Sequence, residues 1–401
     1  MYDAIIVGAR CAGSPLAMLL ARQGHRVLVL DRTALPADTV STHYLQQYGL
    51  SRLQRWGLLD EVLATGVAPI TNMTVSFGDS VISGFAAPID GITATIAPRR
   101  TVLDPILLRA AEQAGAEVRL GFTVTELVFA DGAVVGVRGR DDAGRTVEER
   151  AAVVVGADGS GSFVADAVGA DRYDVVPAAC FIYYSYWDGL DVQFHSRIGE
   201  RQQFGAWPTN DGQTLVAIMR RRDTFADFRR DVDGNFHETI RRIDPGMAEQ
   251  VAGGTQLEPY RAIRYPDNFY RVSQGPGWAL VGDAGYHKDP FTGKGISDAF
   301  VHAELLADRL HEGLTGGRPM AEALADYQRE RDAESRSGYD FTCMISELEL
   351  APELQALVAA VSVDAAATEQ FYTMVGGGIT GEEFFAPANV ASIMARAGVA
   401  A

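Results

Sequence analysis

DAIIVGARCAG, residues 3–13, is the stretch whose reading decides the fold of this chain. It opens with a short, apolar, β-rich run, and a second such run, RVLVLD at 26–31, ends on an acid. Between them Ala17, Leu20, Ala21 and Gly24 set small residues where a helix would lie against a sheet. The turn joining strand to helix reads GARCAG, Gly8 to Gly13. This is the layout that binds a dinucleotide: Gly8 makes the tight turn, Gly13 permits close helix packing, and the helix N-terminus points its free amides at a pyrophosphate. Asp31 comes 23 positions after Gly8, where a carboxylate accepts hydrogen bonds from a ribose. Ala12 in the turn and Arg32 after the acid join the candidate cofactor contacts. Arg10 stands where the layout normally has a glycine, and its guanidinium is expected at the cofactor or beside it. Alone, this imperfect GxGxxG fits a nicotinamide or a flavin dinucleotide equally well.

Further along, a strand meander with turns at Asp131-Gly132 and Ala143-Gly144 leads to VVVGADGSGS, where Asp158 and Gly159 follow an apolar strand. A third motif, PGWALVGDAGYHKDPFTGKGISDAF, carries a strand into Gly282, Asp283 and Ala284, then Pro290, Gly293 and Gly295 ahead of a long helix. An aspartate delivered to a glycine-rich helix start suits a ribityl chain and a flavin ring edge. The Asp283 carboxylate can accept ribityl hydroxyls, and the amides of Gly295 and Ile296 can stabilise negative charge on a reduced flavin.

These three motifs, taken in order, resemble the FAD-dependent monooxygenase superfamily with the p-hydroxybenzoate hydroxylase fold, whose relatives include flavin halogenases and geranylgeranyl reductases. Arg100 in RTVLDPILL matches that family's RxxL helix start near the flavin, and Gly282 to Pro290 spans eight positions, close to the family spacing. The chain departs from the family at Arg10 and at Ala165, where an arginine usually follows the Asp-Gly motif. The second departure weakens the case for the usual use of NADPH and leaves FAD untouched. The resemblance implies an α/β fold: a Rossmann-type, glutathione-reductase-like FAD-binding domain with an inserted antiparallel β-sheet substrate domain and a helical C-terminal segment. On that basis residues 1–71, 98–172 and 273–330 are assigned to FAD, 72–97 and 173–272 to the substrate, and 331–401 to the C-terminal segment.

Composition narrows the class. Hydrophobic residues are 47% and charged residues 22% of the 401, ordinary values for a globular chain with a sizeable core. The net charge of −17 disfavours nucleic acid and anionic lipid as partners. Cys11, Cys180 and Cys343 are too few and scattered for a disulfide framework, and no CxxC pair suggests a metal. With no basic-then-apolar leader and no apolar run of about 18 residues, the expectation is a cytoplasmic protein without a membrane span. Among the basic residues only Lys288 and Lys294 are lysines, most simply a mark of a GC-rich coding sequence; both fall in one glycine-rich loop, which leaves a role near an anion open.

The β-rich stretches MTVSFGDSVISGF, CFIYYSYWDGL, RQQFGAWP and QTLVAIMRRR carry neither nucleotide motif. In the resembled family they form a sheet covering the flavin, with the substrate between. Tyr183, Tyr184, Tyr186 and Trp187 lie on one strand, so about half face inward; such aromatics are more often core than pocket. Tyr184, Trp207 at a strand end, His43 in DTVSTHYL and His287 beside Lys288 are the candidate catalytic or pocket residues. From residue 297 the pattern turns helical, with a second helix through Leu324–Asp332 and late apolar stretches that cover the core or form a dimer contact.

The function expected from the resemblance is an FAD-dependent monooxygenase, hydroxylase or epoxidase, acting on a small aromatic or unsaturated substrate through a flavin 4a-hydroperoxide. Dioxygen is the co-substrate and NADH or NADPH the electron donor; a homodimer and a separate flavin reductase remain open as partners. The alternative is a C=C reductase or dehydrogenase of the geranylgeranyl reductase type, suggested by the acid before proline in KDPFTGKGI. A halogenase would need a lysine in the N-terminal half and a WxWxIP stretch, where this chain has no lysine before Lys288 and reads FGAWPTNDG. A silent flavin-binding module is the remaining class.

Overall fold

The computed structural model describes residues 1–398. Strand Tyr2–Val7 lies at the centre of the first sheet, parallel to Val27–Asp31 on one side and to Thr146–Gly156 on the other. Glu117–Leu120 and Trp278–Leu280 extend the parallel set at its two ends. Continuous apolar strands such as VLVLD are what a sheet covered on both faces requires. Their side chains alternate accordingly. Ala4, Ile6, Val27 and Val29 pack under helices Gly13–Arg22, Arg100–Gln113 and Gly295–Leu314, while Ile5, Val7, Leu28 and Leu30 meet the hairpin Thr123–Ala130/Ala133–Arg140.

The second sheet runs in the order Thr255–Gln256, Cys180–Asp188, Thr214–Arg221, Gln202–Pro208, Phe194–Gly199, Met73–Phe77, Ser80–Gly84. Its neighbours are antiparallel except for Phe194–Gly199 against Met73–Phe77, which run parallel because the two strands come from separate passes of the chain. Cys180–Asp188 is buried on both sides from Cys180 to Trp187. Phe181, Tyr183 and Trp187 face helices Val232–Ile243 and Pro245–Gly253, whereas Ile182, Tyr184 and Tyr186 face the other way, toward the first sheet and the C-terminal helices. Arg172–Val176, Asn268–Arg271 and Tyr286–His287 form a separate three-stranded antiparallel sheet.

Helix Met320–Ser346 is longer than the stretch at Leu324–Asp332 suggests and runs unbroken past residue 330, where the sequence reading ends the FAD-binding part. Tyr327, Arg331, Ser335 and Tyr339, four apart, form one buried stripe that holds it continuous. Helices Pro352–Ser362 and Ala365–Val375 then return to cover hairpin Met73–Gly84. No helix among the described residues is long and apolar enough to cross a membrane.

Candidate functional site

A cleft of about 750 Å³ runs along the C-terminal edge of the first sheet, where ligands of open α/β sheets bind. Its floor is the turn after the first strand. Gly8, at φ +112°, could carry no Cβ without striking the Ala157 carbonyl, and a Cβ on Gly13 would overlap the Gly8 carbonyl. Helix Gly13–Arg22 therefore sits directly on the turn. It has no side-chain cap and no acid in its first turn; the Ser14 and Leu16 amides bond the Arg10 and Ala12 carbonyls and Pro15 has no N–H, which leaves the Gly13 amide free at the turn. Asp31 accepts the Ala9 amide at 2.8 Å and the Thr33 amide at 2.8 Å, so backbone holds the carboxylate at the cleft wall. Helix Gly295–Leu314 also lacks a side-chain cap and brings Gly295 and Ile296 to the same cleft. Gly282, at φ +61°, lets this segment close against Ala12.

Gly8, Arg10, Ala12, Asp31, Arg32, Arg100, Asp158, Gly159, Gly282, Asp283, Pro290, Gly293, Gly295 and Ile296 all line the cleft, while Gly13 lies just beneath it. Their roles there differ. Asp158 gives one carboxylate oxygen to the Ser162 hydroxyl at 2.5 Å and the other to the Val164 amide, so it caps helix Phe163–Ala167 from the cleft wall. Burial pushes its carboxyl above the ordinary range. Ala165 follows on that helix, buried.

A cluster the sequence reading passed over sits at the other side of the turn. Asp104, with no exposed surface, accepts Arg100 through two bonds of 2.7 and 2.9 Å, Arg10 at 3.3 Å and the Cys11 thiol at 3.4 Å. Arg10 is thereby drawn back against the helix Arg100–Gln113. The signal was present as an i, i+4 Arg–Asp pair in RTVLD, which reads as an ordinary surface pair until the helix is seen to be buried there. Lys288 is buried and Lys294 half-buried: Lys288 bonds Asp298, which Tyr48 also bonds, and Lys294 lies over the Tyr48 ring. Burial lowers the Lys294 ammonium from its usual value.

Of the candidate catalytic residues, His287 lines the cleft, with Nδ1 3.3 Å from the Asp283 carboxylate and Nε2 unpartnered. His43 and Tyr184 lie behind the wall. His43, at φ +62° and fully buried, bonds the Tyr186 hydroxyl through Nε2 at 2.5 Å. Burial, reinforced by Arg100 and Arg99, holds its imidazole well below the ordinary histidine value, so it is neutral. The Tyr184 hydroxyl accepts the Ser41 amide at 3.1 Å. Both residues thus fix the Ser41–Tyr44 segment, whose Ser41, Thr42 and Tyr44 reach the cleft.

Trp207 belongs to a second cavity of about 80 Å³. One face of the second sheet forms its roof, through Val75, Phe194, Ile198, Trp207 and Met219. Trp207 stacks on Phe194 with centroids 5.3 Å apart, and its indole donates to the Thr42 carbonyl at 3.0 Å. The C-terminal helices close the far side with Phe341, Phe371 and Tyr372. Thr42, Tyr44, Pro290 and Gly293 are common to both cavities. Among the described residues, no Asp, Glu, Lys, Arg or His lines this chamber.

A family model described as FAD binding domain matches residues 1–342. The chain belongs to this family. It is similar to digeranylgeranylglycerophospholipid reductase of Methanocella arvoryzae, 26% identical over 345 residues that cover 84% of this chain and 84% of the relative. It is also similar to kynurenine 3-monooxygenase of Stenotrophomonas maltophilia, 27% identical over 398 residues, covering 87% and 83% of the two chains. Among solved structures, a triple mutant of the flavin-dependent brominase Bmp2 superposes with a TM-score of 0.80 at 17% identity, over 99% of this chain and 98% of the other; at that identity the likeness is of fold.

The chain is an FAD-dependent oxidoreductase of the FAD binding domain family. The cleft fits FAD on its own evidence: Gly8 and Gly13 leave no room for a Cβ at the turn, helix Gly295–Leu314 brings an uncapped N-terminus to it, and the carboxylates of Asp31 and Asp283 both line it. The sequence reading did not anticipate that the C-terminal helices would line the second chamber, because nothing local in their apolar spacing separates a pocket wall from core.

Proposed function

We propose that this FAD-dependent oxidoreductase is a monooxygenase, inserting one oxygen atom of dioxygen into a small aromatic or unsaturated substrate held in the apolar chamber. The observation that supports this is the chamber itself, uncharged and sharing Pro290 and Gly293 with the cofactor cleft. Bound FAD supplies two-electron transfer and the activation of dioxygen. The protein supplies the rest. Trp207 and Phe194 offer a flat apolar surface, and Phe341, Phe371 and Tyr372 shut out water, which would otherwise divert activated oxygen to hydrogen peroxide. Amides at Gly295 and Ile296 stabilise negative charge at the cofactor edge. NADH or NADPH provides the electrons, so substrate, dioxygen, NAD(P)H and a proton give oxygenated substrate, water and NAD(P)+. His287 stands in the wall as a polar contact, and neutral His43 acts as a positioning group through Tyr186.

A C=C reductase is the second reading, and Asp289 is the observation that favours it. This carboxyl lines the cleft beside Pro290, burial raises it above the ordinary range, and one of its oxygens has no partner. It is therefore placed to hold a proton. An oxygen electrode separates the readings with FAD-loaded protein, NADH or NADPH, and a panel of phenols, anilines and alkenes. Oxygenated product matching oxygen uptake supports the monooxygenase. Saturated product formed without oxygen supports the reductase, and no stimulation of NAD(P)H oxidation by any compound counts against both.

A further inference from the structure

Lys288 and Lys294 are the lysines of this chain, and no step of the oxygenation uses either. The Lys288 ammonium donates to the Tyr286 hydroxyl at 2.7 Å and to the Asp298 carboxylate. Asp298 is the acid in the first turn of helix Gly295–Leu314, and Tyr48 donates to its other oxygen. Burial works against the charge on that carboxyl, but Lys288, Lys294 and His302 outweigh it and hold the group below the ordinary carboxylate range, so it is ionised. Of these three, Lys288 is the one that bonds it: Lys294 lies 5.5 Å from the Tyr48 ring centre, and His302 stands 3.6 Å from Glu334. Lys288, Asp298, Gly295 and Ile296 all line the cofactor cleft.

Stability is a poor reason for a salt bridge in that place. Taking two charges out of water costs about as much as their attraction returns, and an apolar pair of similar volume often holds a fold as well. The position offers a better reason. An acid in the first turn cancels the partial positive charge that a helix N-terminus presents to an anion. Asp298 alone would therefore oppose what the Gly295 and Ile296 amides do at the cofactor edge. Flavin that takes up two electrons and one proton changes from a neutral ring to an anion, and only groups that interact differently with those two states shift the balance between them. Resting on FAD in the cleft, and on nothing about the oxygenation or reduction that follows, we propose that Lys288 acts through Asp298: by neutralising that acid it keeps the helix end positive and biases the bound cofactor toward its reduced, anionic form.

The midpoint potential of the FAD-loaded protein at pH 8 tests this without substrate, dioxygen or NAD(P)H. Xanthine and xanthine oxidase reduce the flavin slowly beside a dye of known potential, and absorbance gives the ratio of oxidised to reduced flavin. Lys288→Met leaves Asp298 unopposed and should shift that ratio about tenfold toward oxidised flavin, which is about 30 mV lower for a two-electron couple. Asp298→Asn leaves Lys288 unopposed and should shift it about tenfold the other way. The double variant is neutral again and should lie within about twofold of the wild type. A pair that only held the helix end in place would give single variants that move together. Shifts of one sign in both single variants, shifts under about threefold in both, or a double variant that keeps the shift of Lys288→Met overturn the proposal. If Lys288→Met holds no flavin, the other two decide: a rise in Asp298→Asn that is absent from the double variant supports it, and any other pattern overturns it.

Discussion

The cofactor cleft and the apolar chamber share Thr42, Tyr44, Pro290 and Gly293 and differ in nearly everything else. The cleft is made by backbone: glycines at positions where a Cβ would strike a carbonyl, uncapped helix ends, and carboxylates held by amides. The chamber is made by side chains from five distant stretches, around residues 42–46, 73–77, 194–219, 290–293 and 341–375. A backbone site fixes one ligand shape across many chemistries, whereas a side-chain site can be retuned residue by residue. Relatives named as a reductase and as a monooxygenase fit that division, with a common cofactor family and divergent chemistry beside it.

The comparison can be broken at graded cost. The largest effect belongs to Asp104→Ala, which strands the buried Arg100 and should destabilise the protein by about 3–5 kcal/mol in chemical denaturation. A loss under about 1 kcal/mol would show that the cluster is not what holds the cleft. If Asp31 accepts the ribose, as the sequence reading expects, Asp31→Ala should weaken FAD binding by about 1.5–3 kcal/mol, roughly ten- to a hundredfold, with no change in the chamber's ligand preference. Trp207→Leu is the converse: KM for the substrate should rise about fivefold from a stacking contact worth about 1 kcal/mol, with flavin affinity unmoved. If each substitution disturbed both ligands equally, the division into two sites would fail.

The smallest effect is in the pH profile. Burial raises the Asp289 carboxyl, so the folded state holds that proton more tightly than the unfolded state does. Its contribution to stability is full below the ordinary value of 3.8 and is lost as pH rises from there through the raised folded value. Asp289→Asn should therefore melt higher than the wild type at pH 7, with the gap closing as the pH is lowered toward 4. A gap that widened on acidification would reverse the sign of this account.

What could be read from the sequence follows the same line. Gly8, Gly13, Asp31, Gly282, Asp283 and Gly295 announce themselves because they fall in or directly after short apolar strands, in motifs that a few consecutive residues define. His43 could be placed near the cleft, yet its ring turns to Tyr186, a contact across 143 positions that spacing does not encode. Asp104 was visible as a helical pair, though not its burial. Phe371 and Tyr372 meet Met73 almost 300 positions away, so the wall they form exists only after the C-terminal helices dock.

The most direct test of the monooxygenase reading is turnover under 18O-labelled dioxygen with a neutral single-ring phenol, followed by mass spectrometry of the product. The account predicts one labelled oxygen atom per product molecule and the other in water. Product without label, or NAD(P)H oxidised with all the label in hydrogen peroxide at every substrate concentration, would contradict it.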